Sequence, residues 1–540
     1  MTKSLDNSHG RGAVLDTAHA GHIRGALGSI AVTDTGRRRS GAQHLKTLLA
    51  IAGPGLIVMV GDNDAGAFGT YTQAGQNYGY TLLWTLLLLV PVLYVNQEMV
   101  LRLGAVTGVG HARLILQRFG RLWGAFSVLD LFVLNGLTII TEFIGIALGL
   151  DYLGVPKALG VVISALVIVA TVSTGDFRRF ERMALALCAV SLVLVPVFVL
   201  VHPPLGAVAR GLAVPGLPAD AKLGDVMLLV IAVVGTTIAP WQLFFQQSYV
   251  IDKRITPRFI NYERVDLWIG IAVVVLGAAA MMAFTAASFM GTPDFGRFAD
   301  AGAVAAGIEA HAGRAAGVLF AVGLIDAGII GACAVSLSSA YALGDVFGVN
   351  HSLHRGPRDA KAFYMAYAVL IAVAAAVVLT PGAPLGLLTN AVQTLAGVLL
   401  PSATVFLLLL CNDRAVLGPW VNGRASNLVT GAVIAALVVL SVILTASVLF
   451  PDQTGETVIL WILGIGAALA LAAGVMSGGL SRPSAATGAD RAAWRMPPLA
   501  DLGPARLSAA SRTWMAVLRL YLVLAGGLVL ARIVVLASAG

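Results

Sequence analysis

Apolar runs long enough to cross a bilayer recur along almost the whole of this chain, and no other feature narrows its possible folds as far. Crossing the hydrocarbon takes about 20 consecutive, mainly apolar residues. Such runs fall near residues 47–73, 80–101, 123–149, 157–173, 183–202, 225–249, 266–290, 315–343, 362–380, 386–411, 428–450, 457–476 and 514–536. In lipid every backbone N–H and C=O must be satisfied within the protein, so these segments predict an all-α polytopic bundle of about thirteen spans. Composition agrees: 58% of the residues are hydrophobic and 11% charged, whereas a water-soluble domain carries roughly 25% charged residues.

The net charge of +8 would suit a nucleic-acid partner only if the basic residues formed a patch, and they do not. They fall in alternate connections: Arg37, Arg38, Arg39 and Lys46, then Arg113, Arg118 and Arg121, then Arg178, Arg179 and Arg182, then Lys253, Arg254 and Arg258. The same rhythm continues through Arg355, Arg358 and Lys361 to Arg414 and Arg424, while the connections around 76–80, 151–156, 381–385 and 451–456 have no Lys or Arg. By the positive-inside rule this predicts a multi-pass protein of the cell membrane with a cytoplasmic N-terminus. Residues 1–44 read as a disordered cytoplasmic tail, in which His19 and His22 are incidental. Residues 45–476 form the transmembrane domain, 477–512 a cytoplasmic linker and 513–540 an accessory C-terminal helix. Cys188, Cys333 and Cys411 have no disulfide or zinc spacing and read as small core residues. His111, His351 and His354 fall in cytoplasmic connections and are expected to be solvated.

Charge inside a span is costly and marks a functional site by default. The first run contains Asp62-Asn63-Asp64-Ala65-Gly66-Ala67 behind Gly53-Pro54-Gly55, a poor continuous helix and a good cation site. The sixth contains Gly235-Thr236-Thr237-Ile238-Ala239-Pro240-Trp241-Gln242. Pro240 has no N–H, so the carbonyl of Thr236 loses its helical partner. Alone, Pro240 is equally well read as a plain kink. Two interrupted helices five spans apart, one of them acidic, fit two inverted five-helix repeats meeting at a midplane site.

These residues resemble a known family. Gly53-Pro54-Gly55, Asp64-Ala65-Gly66-Ala67-Phe68, Gln73-Ala74-Gly75 and Tyr78-Gly79 look like the first-helix signature of the Nramp divalent-metal transporters. Gln97 with Arg102-Leu103-Gly104 and Val106-Thr107-Gly108 resembles the second helix, Glu142-Phe143-Ile144-Gly145 the third, Gly235 to Leu243 the sixth, and Gln393 through Leu400-Pro401 to Asp413 the tenth. The resemblance covers roughly residues 45 to 450. It implies a LeuT-type fold with 5+5 inverted repeats, discontinuous helices 1 and 6, two or three extra C-terminal helices, and an ion held between helices 1 and 6.

The sequence also departs from that family. Its Asp-Pro-Gly-Asn motif keeps Asp64 but has Ala65 and Ala67, and its Met-Pro-His reads Ala239-Pro240-Trp241. With no thioether at Ala239, the implied site is oxygen alone: Asp64, Asn63, Gln393, the Thr236 carbonyl and Asp62. Asp62 either reaches the same ion once the helix unwinds or lines the vestibule. The space left at Ala67 and Ala239 suits Mg2+, which sheds water reluctantly, and admits Mn2+; the pattern is similar to the Nramp-related magnesium transporters. The family's proton-route positions read Trp241, Ile139 and Glu142, so one titratable group of three remains, and uncoupled transport is expected. Gly66, Pro240, Trp241 and Glu142 are the pathway candidates, Glu142 serving either a water path or an ion pair with Arg102 or another base. Asp130 and Asp326 are buried acids with local partners or interior roles. No cofactor and no obligatory protein partner are expected; the divalent cation is cargo. The rival readings are a proton-coupled Mn2+/Fe2+ transporter, an organic-solute carrier on the same fold, and a channel or receptor. The absence of Walker, His-Glu-x-x-His and nucleophile-elbow motifs disfavours an enzyme or pump.

Overall fold

The computed structural model describes residues 15–218, 221–382, 385–477, 491, 494–505 and 509–539. A hairpin of β1 (Ile23–Gly25) and β2 (Gly28–Ile30) precedes α1 (Gly41–Ile51), α2 (Pro54–Asp62), α3 (Ala65–Tyr78), α4 (Trp84–Thr107), α5 (His111–Phe119), α6 (Arg121–Tyr152) and α7 (Lys157–Val172). The chain continues through α8 (Phe177–Val190), α9 (Leu194–Val201), α10 (Leu205–Ala213), α11 (Leu223–Thr237), α12 (Pro240–Asp252), α13 (Ile260–Phe289), α14 (Ala301–Ala312) and α15 (Arg314–Phe347). It ends with α16 (Lys361–Leu379), α17 (Leu385–Cys411), α18 (Arg414–Leu417), α19 (Arg424–Leu449), α20 (Glu456–Ser477) and α21 (Ala509–Ala539).

Among the described residues eight helices are long and apolar enough to span a membrane, or up to ten if each of two bent pairs is one span. The thirteen runs of the sequence therefore do not become thirteen simple rods. The first is divided among α1, α2 and α3, and the sixth is divided between α11 and α12. Glycine makes the first bend. Gly53 has φ 150°, and a Cβ there would stand 2.5 Å from Glu181 Oε1; at this residue α1 and α2 turn by 54°. The freed N–H groups of Gly53, Gly55 and Leu56 all donate to Asp266 Oδ2 on α13, at 3.1, 2.7 and 3.2 Å. A carboxylate on the amide-rich start of a helix is favourable. Behind the breaks α6 packs along α15, and glycines permit the approach: a Cβ on Gly328 would lie 2.7 Å from the carbonyl oxygen of Glu142.

The N-terminal stretch departs from the expectation of a disordered tail through residue 44. From Leu15 onward it is folded, because distant charged side chains saturate its backbone. Arg178 Nε and Arg182 Nε donate to the carbonyls of Gly25 and Ala26 at 3.0 and 3.2 Å, and Ala26 N–H donates to Glu181 Oε2. Arg254 Nε reaches the carbonyl of Ala18 at 2.9 Å. His19 is buried 3.6 Å from Asp252 and stacks edge-on to His351, while His22 Nδ1 accepts from Val32 N–H. The three connection histidines are also not solvated: His111 meets Gln247 Oε1 at 3.0 Å, His351 meets Asp345 at 3.1 Å and His354 meets the Asp252 carbonyl at 3.0 Å. Part of the expected 477–512 linker docks as well, with Ala505 N–H donating to the Arg118 carbonyl at 2.7 Å and Gln117 Nε2 to that of Leu499 at 3.2 Å. The three cysteines are buried and free.

This polar face carries a pH dependence. Burial depresses the His351 imidazole, but its hydrogen bond and attraction to Asp345 outweigh burial and raise it from 6.5 to about 8. A raised folded-state value contributes stability that is complete below pH 6.5 and lost as pH rises through 8, about 2 kcal/mol for a shift of this size. Burial moves His19 the other way, helped by repulsion from His351, so its cost appears on acidification and is smaller in a variant without the His351 imidazole. We therefore expect His351→Gln to lower the thermal midpoint at pH 6 and to converge on wild type by pH 9 in detergent melting curves.

Candidate metal site at two broken helices

The first break is built by Asp64 and Glu142. Asp64, in extended backbone, caps α3, its Oδ1 accepting the Ala67 N–H at 2.8 Å. Glu142 on α6 accepts the Ala65 N–H at 3.0 Å. In a continuous helix that N–H would close on the carbonyl of Gly61, so Glu142 holds the break open and leaves the Gly61 carbonyl without its helical donor. Asp64 and Glu142 thus flank the same break, and Glu142 Oε1 is buried without a hydrogen-bond partner. The expected pairing of Glu142 with Arg102 does not occur: Arg102 Nη2 engages Glu98 at 3.1 Å and Asn422 Oδ1 at 2.6 Å.

The second break follows from Pro240, which opens α12 and leaves the Thr236 carbonyl without a donor. Tyr71 OH on α3 meets Thr237 Oγ1 at 2.7 Å and ties the two breaks together. Trp241 is buried, its indole N–H unpartnered and its carbonyl taken by Ser338 Oγ at 2.9 Å. Ala67, Ala239 and Thr236 are buried beside the breaks, and Gly66 lends its carbonyl to Thr70 Oγ1 at 3.0 Å.

The acidic pair does not turn one way. Asp62 Oδ1 accepts from Gln242 Nε2 on α12, and its Oδ2 has no partner. Asn63 donates to the Val274 carbonyl on α13 at 3.2 Å, keeping Oδ1 free. Gln393 lies on α17, but its side chain is outside the described residues. No Lys, Arg or His stands within ion-pair distance of Asp62, Asp64 or Glu142 among the described residues. Nor do three or more His, Cys, Asp or Glu form a ready metal-ligand group there. A cavity of about 620 Å³ approaches from the face opposite the N-terminal hairpin, with Ala65, Thr70, Thr141 and Gly145 toward the break and Asp225 and Asp300 nearer that face.

Sequence reasoning missed Gln242 as the partner of Asp62, although an amide one residue past Trp241 in an apolar run was a signal. It missed Asp266 entirely. Of the other buried acids, Asp326 has a local partner, Ser191 Oγ, at 2.8 Å, and Asp130 bonds to Ser402.

Comparison with known proteins agrees with this architecture. The profile of the family described as natural resistance-associated macrophage protein-like matches residues 55–447. The divalent metal cation transporter MntH of Ralstonia nicotianae is 30% identical over 421 residues, covering 75% of this chain and 92% of that one. MntH of Burkholderia ambifaria is 30% identical over 420 residues, covering 74% and 89%. Among solved structures, the manganese transporter of Eremococcus coleocola superposes with a TM-score of 0.61 at 22% identity, over 83% of this chain and 98% of that one. That likeness concerns the fold, which is the LeuT-type fold that the resemblance implied. With its family profile spanning both breaks and full-length relatives on either side of them, this multi-pass membrane protein belongs to the Nramp family.

Proposed function

We propose that the chain carries divalent cations, Mg2+ and Mn2+, across the bilayer by alternating access without proton coupling. The observation that supports this best is the set of buried carboxyl groups, Asp64, Glu142 and Asp62, with no cationic side chain within ion-pair distance among the described residues. A buried charge without a partner is strongly unfavourable, and a bound cation relieves it. Asp64 is the primary ligand, with the Gly61 and Thr236 carbonyls, Asn63 and Gln393 as further oxygens and retained waters completing the shell. Asp225 and Asp300 beside the far face would concentrate cations there. That acidity disfavours an organic carboxylate as cargo.

The choice of a hard ion rests on the absence of a soft ligand. Ala239 has no donor atom, and Met59, on the half-helix before the break, lies against Gly270 of α13. An all-oxygen site discriminates weakly between Mg2+ and Mn2+. A hundredfold excess of Mg2+ is therefore expected to suppress Mn2+ uptake into proteoliposomes by about tenfold or more; Mn2+ uptake unaffected by Mg2+ would point to a transition-metal site instead.

The absence of coupling rests on Trp241 and Ile139 standing where the family has titratable groups. Indole donates one hydrogen bond and cannot relay a proton as imidazole does. A Mg2+ gradient should drive flux with no acidification of the vesicle lumen. The reading has the N-terminus in the cytoplasm, by the basic connections on its side, and a transport cycle in which two five-helix repeats rock about the breaks. The cavity toward the opposite face fits an outward-facing member of that cycle.

A further inference from the structure

Asp62 belongs to a second polar cluster that runs away from the central break. Its carboxylate, Gln242 of α12 and Gln97 of α4 are wholly buried and joined in a chain: Gln97 Nε2 donates to Gln242 Oε1 at 2.9 Å, and Gln242 Nε2 donates to Asp62 Oδ1. Two acceptors of this chain, Asp62 Oδ2 and Gln97 Oε1, are left without a partner. One turn further along α12, Gln246 is also wholly buried with both side-chain polar atoms unpartnered.

An unsatisfied buried polar atom costs about 1–3 kcal/mol, and apolar side chains of the same size would pack here without that cost. Three helices instead hold a buried carboxylate and surplus amide oxygens, and among the described residues no Lys, Arg or His lies within ion-pair distance of Asp62. Orientation adds a direction. From Gln242 to Gln246 the helix advances roughly 6 Å, toward Asp252, which sits beneath the N-terminal segment beside His19.

We propose that Asp62, Gln97 and Gln242, continued by Gln246, form a second oxygen-lined cation station, through which a partly hydrated divalent ion leaves Asp64 toward the face covered by the N-terminal segment. It rests on the transport reading above. The ion moves from the Asp64 carboxylate to that of Asp62 and on past the amide of Gln246, and Gln242 exchanges its hydrogen bond to Asp62 for contact with the ion or its waters.

The test compares equilibrium Mn2+ binding in detergent with saturated Mn2+ and Mg2+ flux in proteoliposomes for wild type, Asp62→Asn and Gln97→Leu, each checked for a wild-type melting curve. A transit station affects flux more than affinity. Asp62→Asn is expected to keep Mn2+ affinity within about threefold while lowering maximal flux by tenfold or more, and Gln97→Leu to lower it by about threefold. Flux within twofold of wild type in folded Asp62→Asn overturns the station. Equal loss of affinity and flux also overturns it, because Asp62 would then belong to the Asp64 site. Should Asp62→Asn fail to fold, Gln97→Leu decides alone, with unchanged maximal flux as the refuting result. Failure of the underlying reading looks different: it appears as full Mn2+ binding and uptake in Asp64→Asn.

Discussion

Asp64→Asn is expected to fold as wild type does and to lose Mn2+ and Mg2+ uptake by about a hundredfold, equivalent to roughly 3 kcal/mol of lost ion binding. The two halves of that expectation separate because Asp64 has two jobs. Its Oδ1 caps α3 through the Ala67 N–H, and asparagine caps a helix about as well as aspartate. In the proposed site its charge answers the cation, and asparagine has none. Asp64→Ala removes both, adding about 1 kcal/mol of lost capping to the same transport defect. Uptake assays paired with melting curves for the two variants distinguish the roles. Wild-type uptake in the asparagine variant would remove Asp64 from the ion site, whatever happened to stability.

The breaks were legible because each violates a local rule inside an apolar run. Asp62, Asn63 and Asp64 are poor in a membrane helix, and Pro240 cannot complete one. What one stretch of sequence cannot display is which distant group compensates it. Glu142 was readable as a buried acid, and the obvious partner was a base such as Arg102; its actual partner is a backbone N–H, Ala65, 77 positions earlier. Any residue can supply that donor, so no residue type announces it. Asp266 was passed over for the same reason, since all three groups it binds are main-chain amides.

The N-terminal stretch shows the same blindness over longer range. Its Gly, Ser and Arg content reads as coil, and by itself it has few apolar residues to bury. Its order comes from Glu181, 155 positions after Ala26, and from Arg355, 339 positions after Asp16. Burial raises the Asp16 carboxyl, but hydrogen bonds from Arg355 and from the Ala18 and His351 amides prevail and hold it at about 2. Local composition describes the chain's own preferences, whereas here the saturating groups come from other helices. The proposed selection of a hard ion is a different matter again: the missing thioether at Ala239 was visible in sequence, and the structure adds that Met59 turns toward α13.

Glu181→Ala is expected to be the most destabilising single change on the face beneath the hairpin, by about 3–5 kcal/mol. Glu181 and Lys253 are both fully buried, with Nζ 2.7 Å from Oε1, and Lys253 also donates to the Ala52 carbonyl at 2.7 Å. Removing the carboxylate leaves an ammonium in a dry site and frees the Ala26 N–H that anchors the hairpin. Replacing both partners by apolar residues of similar size, Glu181→Leu with Lys253→Met, removes the stranded ammonium and should recover part of the loss. The remainder reports the backbone anchors, Ala26 N–H and Ala52 C=O, which neither apolar side chain can satisfy, together with the loss of Lys253 as a cation neighbouring the buried Glu263 and Asp266. Melting curves of the single and double variants in one detergent measure both quantities. If the double variant is as unstable as Glu181→Ala, the pair acts through its backbone contacts, at the joint where α1 turns into α2, and charge burial is the lesser effect.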